Sequence, residues 1–380
     1  MAHIVFISPF PLFPATGGNR VRTLHMLHAL ETLGHAVHFA LMPSRRMGDF
    51  DEAAHRQALG ARFSLLERGG AREALYLLRR AARRLWRKFA RAPLRMASVD
   101  ETYFGGFTRQ LRALDRAVGF DAAVVQYVSF SGAFEAFGAR TAKIIDTHDS
   151  LAGQMPAAEE RRGLLRADRI IAIQDREAEL FRALIAPEGA RVVTISHLIE
   201  ARASLPLWPC EGAAFIGSDF EQNNESLTWF IRAVLPRIRA QAPDFTLRVA
   251  GSVGRAVPDA PGVRKLGVVA DPAEAFAGAP ILVNCITRGT GVKIKLLEAF
   301  GAGLPVVSTT CGVAGIAVPY LRGTCVCPDG DAESFAAATL ALYESAALRE
   351  RLAAANLAVA REWNAAQHAA LARLFQPGAG

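Results

Sequence analysis

The hydrophobic positions of this chain form short, mainly apolar runs that alternate with longer segments of helical period. The runs are rich in β-branched residues, which is typical of strands buried on both faces. They lie at 3–8, 36–41, 122–128, 142–146, 169–173, 191–195, 213–217, 246–250, 263–266, 281–285, 305–308 and 324–327. The amphipathic segments predict helices at 20–33, 224–240, 292–301 and 332–344. Apolar strands separated by helices predict parallel sheets covered by helices, an α/β fold.

The alternation of strands and helices stops once and then resumes. The interruption lies near 201–212, where Pro206, Pro209 and Gly212 are typical of a linker. A chain of 380 residues is long enough for two domains, each with its own core. The predicted organisation is a doubly wound domain at 1–200, a linker at 201–212, a second such domain at 213–360, and a C-terminal helix or tail at 361–380 that can pack back on the N-terminal domain.

The composition excludes several classes of protein. With 51% hydrophobic residues and no biased tract, the chain is not disordered. Its apolar runs are far shorter than the ~20 residues of a membrane-spanning helix, and the N-terminus lacks the basic region of a signal peptide. Five cysteines are too few for a disulfide framework, and Cys325 and Cys327 are expected to be buried thiols. We therefore expect a cytoplasmic protein.

The net charge of +8 comes from one segment. Residues 72–95 contain nine basic residues and one acidic residue, so they account for the whole excess. Apolar residues at helical spacing, with Trp86 and Phe89 among them, would form one face of a helix and arginines the other. This pattern is typical of an element that lies on an anionic membrane, here the inner face, and equally of a domain helix whose arginines lie in water. Without a recognition module, it does not indicate nucleic-acid binding.

Ligands of doubly wound sheets bind outside the carboxyl ends of the strands, so the loops after strands carry the candidate chemistry. The first such loop places Gly17 and Gly18 directly before a helix, with Arg20 at its start. Paired glycines let the backbone approach a ligand, and the free N–H groups of a helix start attract an anion. A flexible turn with a glycine cap is the alternative interpretation.

The second loop, at 146–149, has the sequence Asp-Thr-His-Asp. Three ionisable side chains at the end of a strand are costly to bury without partners or a function. His148 can exchange hydrogen bonds with a substrate hydroxyl, which makes it the candidate catalytic residue. Alternatively, the loop is a turn in which Asp149 caps the next segment. Other histidines, such as His38 and His55, lack acidic partners at metal spacing and are expected to be structural.

The third loop is glycine-rich and leads into a predicted helix that bears two lysines and a glutamate. Its candidate residues are Arg288, Thr290, Gly291, Val292, Lys293, Lys295 and Glu298. Backbone amides at the helix start can hold a phosphate, and a nearby lysine can neutralise a diphosphate. Glu298, expected about two turns into the helix, is suited to accept hydrogen bonds from a vicinal diol such as ribose. A surface helix with ordinary charges would explain the lysines but not the glycine-rich entry.

In this order the three loops resemble those of the retaining glycosyltransferases of family 4, also called glycosyl transferases group 1. That family has the GT-B fold, in which two Rossmann-like domains flank an interdomain cleft. The resemblance covers most of the chain and is carried by segments 7–42, 167–180, 215–251 and 288–308.

The resemblance implies transfer of a sugar from a nucleotide-sugar donor to a glycan or lipid-linked acceptor, with retention and without metal or cofactor. It implies a place in cell-surface polysaccharide or lipopolysaccharide biosynthesis. By analogy with the family, Glu298 binds the nucleotide ribose and His148 faces the transferred sugar. The diphosphate would be held by Gly291, Val292 and Lys293, and the loop of Gly17, Gly18 and Arg20 would close on the phosphates and acceptor.

Two features depart from the family pattern. Thr290 stands where the family commonly has a second glutamate, and residues 217–226 lack the usual basic residues. Arg288, Lys293 or Lys295 would then supply the charge for the diphosphate. Two other functions stay open, namely a non-catalytic nucleotide-sugar-binding subunit of a glycan assembly complex and an epimerase or phosphorylase of the same fold.

Overall fold

The structure, a computed structural model, describes residues 1–15, 17–43, 47–70, 73–74, 76–78, 81–82, 96–202, 209–269, 272–289 and 292–375. The chain divides into two compact units. The N-terminal unit comprises Met1–Ser196 and the C-terminal residues from Gln367 onward, and the C-terminal unit comprises His197–Ala366.

The N-terminal unit contains a parallel sheet flanked by helices. Its described strands are β1 (His3–Ser8), β2 (Ala36–Leu41), β3 (Phe63–Leu65), β4 (Ala122–Gln126), β5 (Ala142–Asp146), β6 (Arg169–Ala172) and β7 (Val192–Thr194). Its described helices are α1 (Gly18–Thr32), α2 (Glu52–Leu59), α3 (Gly106–Val118), α4 (Ala157–Leu164) and α5 (Asp175–Leu184). The strand order is β3-β2-β1-β4-β5-β6-β7.

The C-terminal unit repeats this architecture with a second parallel sheet. Its described strands are β8 (Gly212–Ile216), β9 (Thr246–Ala250), β10 (Val263–Gly267), β11 (Leu282–Asn284), β12 (Val306–Thr309) and β13 (Thr324–Cys327). Its helices are α6 (Glu221–Trp229), α7 (Leu235–Gln241), α8 (Pro272–Phe276), α9 (Ile294–Gly301), α10 (Ala332–Glu344) and α11 (Ala346–Leu374), whose last turns belong to the N-terminal unit. The strand order is β10-β9-β8-β11-β12-β13.

The mainly apolar runs of the sequence include the inner strands of both sheets. In β1, the side chains from Ile4 to Ile7 are completely buried, and the strand pairs in parallel with β2 and β4. The strand β3 was not predicted, because its three residues follow a tight turn and only Phe63 is buried. Burial on both faces thus explains why the inner strands lack polar alternation.

The predicted helix at 224–240 forms, but it starts earlier and contains an irregular turn. It begins at Glu221, and a π-helical turn at Phe230–Val234 joins α6 to α7. Pro236 lies directly after this turn, near the start of α7. Proline has no N–H and clashes with the carbonyl of the preceding turn, so the helix widens before it.

Both sheets have a point at which the strand order reverses, between β1 and β4 in one unit and between β8 and β11 in the other. Crossover connections leave opposite faces of the sheet at such a point, which opens a crevice at the carboxyl ends of the strands. The loops after these strands contain several of the residues singled out from the sequence.

The chain segment at 196–199 runs beside α11. In the N-terminal unit, the backbone N–H of Ser196 donates to Gln367 Oε1 at 2.7 Å. In the C-terminal unit, Asn364 pairs with both backbone groups of Ile199 at 2.6 and 2.8 Å. Trp363 Nε1 donates to the His197 carbonyl at 2.7 Å. The two passages of the chain from one unit to the other are therefore held by side-chain hydrogen bonds on the same helix.

None of the helices in the described part of the chain is both long enough and apolar enough to span a membrane. Most of the basic segment at 72–95 lies outside the described residues. Of its described residues, Tyr76 packs edge-on against Phe104 and Leu78 is exposed.

Candidate functional sites

The glycine pair of the first loop forms the start of α1. Gly17 occupies the N-cap position with extended backbone, and its carbonyl accepts from the N–H groups of Arg20 and Val21 at 2.9 and 3.0 Å. A Cβ on Gly17 would lie 3.0 Å from Asn19 Oδ1, so the turn is closely packed. Gly17 has no side chain to cap the helix, and Asn19 Oδ1 accepts from the N–H of Arg20 at 3.0 Å within the first turn. The geometry is compatible with both interpretations of the loop.

Arg20 does not extend from this loop. Its Nη1 donates to the carbonyls of Pro14 and Asp49 at 2.9 and 2.8 Å, and its Nη2 donates to that of Met47 at 3.2 Å. The residue is 9% exposed. Three backbone carbonyls therefore occupy the guanidinium, which holds two loops together in this structure.

His148 lies at the carboxyl end of β5 in an aromatic setting. Its ring stacks on Tyr127 with centroids 4.7 Å apart and meets Phe10 edge-on at 5.6 Å. Its Nε2 contacts Gln126 Oε1 and lies 3.4 Å from Asp146 Oδ2. Burial lowers the pKa of His148 to about 4, although the Asp146 carboxylate opposes this. The imidazole is therefore neutral at pH 7.

The backbone at this point is strained. Tyr127 and His148 have φ angles of 66° and 56°, and no other non-glycine residue in the described ranges has a positive φ. Each such conformation costs on the order of 1–3 kcal/mol and persists where the surrounding contacts enforce it. Strain of this kind clusters at functional sites, so it favours a functional interpretation of the second loop over a simple turn.

A buried ion pair supports the same loop. Arg22 Nη2 donates to Asp146 Oδ1 at 2.8 Å and Arg22 Nε to Asp146 Oδ2 at 3.3 Å, and both side chains are fully buried. Arg22 Nη2 also donates to the carbonyl of Ile195 at 2.8 Å. Burial by itself raises the pKa of Asp146, but the Arg22 guanidinium, together with His148 and Gln126, outweighs this, so that pKa lies below its ordinary value. The pair fixes α1 against the end of β5.

In the C-terminal unit, Lys295 and Glu298 lie on α9, the helix that follows β11. Lys295 Nζ lies 3.9 Å from the centroid of the Phe215 ring and donates to Asn223 Oδ1 at 2.9 Å. Burial lowers the pKa of Lys295 to about 8. Burial also raises the pKa of Glu298, although the Lys295 ammonium opposes this. Because α9 begins at Ile294 rather than at residue 292, Glu298 is little more than one turn into the helix, not two.

The other described candidates of the third loop are Lys293, Val292 and Arg288. Lys293 is at the N-cap position of α9, and its Nζ donates weakly to the Gly289 carbonyl at 3.5 Å. Val292 precedes it, half-buried. Arg288 is more than half exposed and pairs with Glu225, with Glu221 at 3.8 Å. Its guanidinium is thus occupied by carboxylates, whereas Lys295 directly contacts no carboxylate of the residues that the structure describes.

Thr290 and Gly291 lie outside the described residues. The second departure from the family pattern can be followed, because the loop after β8 is described. In this loop, Asn223 accepts a hydrogen bond from Lys295, and Phe220 is 61% exposed. We find no cluster of three or more metal-ligating side chains within the described ranges.

The sequence interpretation missed Arg22, Gln126 and Tyr127 in the N-terminal unit and Phe215 and Asn223 in the C-terminal unit. Two of these positions carry a signal. Arg22 precedes the buried Met26 by four residues, so it falls on the apolar face of α1. Gln126 is a polar residue at the end of an otherwise apolar strand, all of which is buried. Each such position predicts a buried partner.

Together, these residues give each unit one distinct capability. The N-terminal unit holds a neutral, nearly buried imidazole at the end of β5, whose nitrogens can exchange hydrogen bonds with hydroxyl groups. The C-terminal unit presents an ammonium and a carboxylate one turn apart, which can bind an anionic group and a hydroxylated group of one ligand.

Sequence comparison relates the C-terminal unit to a known family. Residues 211–345 match the protein-family model described as "Glycosyl transferases group 1", over about a third of the chain. A Klebsiella pneumoniae protein described as "Uncharacterized 44.6 kDa protein in cps region" is 28% identical over 116 residues. That alignment spans 27% of this chain and 29% of the relative.

Solved structures resemble the whole chain. The apo form of the lipopolysaccharide outer core galactosyltransferase WaaB has a TM-score of 0.59 at 16% identity, covering 96% of both chains. Anabaena HepE in complex with UDP and glucose has a TM-score of 0.63 at 12% identity, covering 98% of this chain and 99% of that one. Thermosynechococcus elongatus sucrose-phosphate synthase gives 0.62 at 14%, covering 99% and 98%. The predicted class of two Rossmann-like α/β domains of GT-B type is confirmed.

Proposed function

We propose that this protein is a glycosyltransferase that moves a sugar from a nucleotide-sugar donor to a glycan or lipid-linked acceptor. The observation that carries the proposal is the pair of Lys295 and Glu298 on α9. The pair follows a strand at the point where the sheet order reverses, within the segment that matches the glycosyl transferases group 1 model. A binding site for a diphosphate and a ribose is the function that these two side chains fit best.

Departure of a nucleoside diphosphate develops negative charge on its phosphates. The Lys295 ammonium, held by Asn223 and the Phe215 ring, is oriented before the ligand arrives, so it can stabilise that charge without reorganisation. The N-terminal amides of α9 add fixed dipoles to the same end of the helix. Glu298 accepts hydrogen bonds from the ribose hydroxyls, and binding them offsets the burial of its carboxylate.

We propose retention of configuration and catalysis without metal. In a retaining transfer the acceptor hydroxyl attacks from the face that the phosphate leaves, and the phosphate takes the proton, so a strong protein base is not required. The neutral His148 fits such a step as a hydrogen-bonding group on the transferred sugar. The expected charge stabilisation comes from the lysine and the helix amides.

We assign the acceptor to cell-surface polysaccharide or lipopolysaccharide synthesis. The names of two relatives support this, one a lipopolysaccharide outer core galactosyltransferase and the other a protein of a cps region. HepE was solved with UDP and glucose, which makes UDP-glucose the first donor to test.

Binding of the correct nucleotide is expected to raise the melting temperature of the protein. At 100 times the Kd, the free energy of unfolding should increase by about 2.7 kcal/mol. The screen would compare UDP, GDP, dTDP, CMP and their sugars by differential scanning fluorimetry. Glu298→Gln should lose most of this increase, whereas Glu344→Gln, which changes an exposed glutamate of the same unit, should keep it.

Incubation of the purified protein with the donor identified in this way separates the remaining functions. A glycosyltransferase releases free nucleoside diphosphate slowly even without acceptor. Binding without release would instead favour the non-catalytic subunit, for which Thr290 in place of a glutamate is the sequence argument. If no nucleotide shifts the melting temperature, the donor-site assignment of Lys295 and Glu298 is wrong.

We further propose that the basic segment at 72–95 attaches the enzyme to the inner face of the membrane. Each basic residue near an anionic surface contributes about 1 kcal/mol. Replacing Arg79, Arg80, Arg83 and Arg84 with Glu should therefore abolish co-sedimentation with phosphatidylglycerol vesicles. The control variant, with Arg109, Arg112 and Arg116 replaced by Glu, should sediment like the wild type. Equal sedimentation of both variants would contradict the assignment.

A further inference from the structure

Two oxygen atoms face Nε2 of His148, and they differ in their distance from it and in their other hydrogen bonds. Asp146 Oδ2 is 3.4 Å away, beyond normal hydrogen-bond length, and Arg22 engages both oxygens of that carboxylate. Gln126 Oε1 contacts Nε2 directly. Gln126 is fully buried at the end of β4, and its Oε1 lies 3.2 Å from Thr23 Oγ1, whose hydroxyl hydrogen is shared with the Asn19 carbonyl at 2.9 Å. Gln126 is thus the residue that engages this nitrogen.

The contact determines where the imidazole proton resides. A carbonyl oxygen only accepts hydrogen bonds, so Nε2 must carry the hydrogen. Because burial lowers the pKa of His148 to about 4, the ring holds a single proton at neutral pH. The other ring nitrogen, Nδ1, is then an acceptor with a free lone pair.

The ring is also fixed in orientation. Tyr127 covers one face of it, and Phe10 meets it edge-on. Tyr127 is the residue after Gln126, and both Tyr127 and His148 have positive φ. The end of β4 therefore supplies both the hydrogen-bond acceptor and the stacking partner of the imidazole.

We propose that Gln126 is a positioning residue that holds His148 in the Nε2–H tautomer, so that Nδ1 accepts a hydrogen bond from a hydroxyl of the transferred sugar. The sugar contact rests on the proposed function, whereas the tautomer does not. A histidine in the other tautomer would present an N–H at the same place and could bind a hydroxyl only through its oxygen.

The experiment uses the full-length protein labelled with ¹⁵N-histidine. The imidazole ¹⁵N chemical shifts report which nitrogen is protonated, and the His148 signals are assigned by their loss in His148→Asn. Three variants are compared with the wild type: Gln126→Met, which removes the acceptor; Thr23→Val, which removes the donor to that acceptor; and Gln57→Met, the same change at an exposed glutamine of α2. Kinetics with the donor identified above are measured in parallel.

We expect protonation at Nε2 in the wild type and in Gln57→Met, and mixed tautomers in Gln126→Met, with a smaller shift in Thr23→Val. Turnover in Gln126→Met should fall about tenfold in kcat with little change in KM, because the misplaced group acts on the transferred sugar. A proton on Nδ1 in the wild type overturns the proposal. So does an unchanged tautomer in Gln126→Met or, if that variant does not fold, in Thr23→Val. If the wild type has the expected tautomer but neither hydrolyses the donor nor transfers its sugar, the proposed function is refuted and the tautomer assignment stands.

Discussion

Replacing Arg22 with Met is expected to lower the free energy of unfolding of the N-terminal unit by about 3–5 kcal/mol. The change leaves Asp146, which is fully buried, without its guanidinium partner. The uncompensated carboxylate must then be protonated or drawn toward water. Hydrogen exchange measured by mass spectrometry at β5 reports the loss directly, since the strand ends at Asp146.

Two comparisons test this reason. Arg161 forms a surface ion pair with Glu188 at 3.7 Å. Arg161→Met is expected to change the free energy of unfolding by at most about 1 kcal/mol, the usual range for exposed ion pairs. The double variant Arg22→Met, Asp146→Leu removes both charges and should recover most of the stability. A loss for Arg22→Met no larger than for Arg161→Met would show that the buried pair does not hold α1 to the sheet.

Replacing Lys295 with Met is expected to lower the turnover of the donor by about 10²–10³-fold. This is the usual effect of removing one preorganised group that stabilises the leaving charge. Lys265→Met, which removes a lysine of β10 that pairs with Asp259, is the control and should retain wild-type turnover. A Lys295→Met enzyme within tenfold of wild type would mean that another group neutralises the diphosphate.

The lowered pKa of Lys295 gives this prediction a pH dependence. Its ammonium is present below a pKa of about 8 and is lost as the pH rises through that value. The kcat/KM of the wild type should therefore decline above about pH 8. In Lys295→Arg the guanidinium stays charged, so the alkaline decline should disappear even if the overall rate is lower. An identical decline in both enzymes would assign it to a different group.

The sequence predicts the architecture well because the inner strands of a parallel sheet are buried on both faces. Short, mainly apolar runs predict twelve of the thirteen strands in the described ranges, often to the residue, as for His3–Ser8 and Thr246–Ala250. Shorter signals were less informative. The strand at Phe63–Leu65 has only one buried side chain, and the start of α9 has no capping side chain at Lys293 that would mark it in the sequence.

The sequence locates the candidate sites but does not identify the residues that contact and support them. Glycine pairs and charged residues after strands show where the carboxyl ends of the sheets lie, which is how His148 and Lys295 were found. Their partners are distant in the chain: Arg22 and Asp146 are 124 residues apart, and Lys295 and Asn223 are 72 apart. A local pattern can indicate that Arg22 needs a buried partner, but not which distant residue supplies it. For the same reason, the sequence points to Arg20 in the first loop, although Arg22 is the arginine that reaches the second loop.

The passage of α11 from one unit to the other determines how this protein can be recombined. The C-terminal unit, His197–Ala366, is inserted within the N-terminal unit, so it has the layout of a cassette with two junctions. A chimera that exchanges the donor-binding half with a relative must be spliced in both places, before His197 and after Ala366. The foreign segment must also supply counterparts of Trp363 and Asn364, because these side chains bind the first residues of the same segment, His197 and Ile199. A single-crossover chimera at His197 would instead pair Ser196 of one parent with the counterpart of Gln367 from the other.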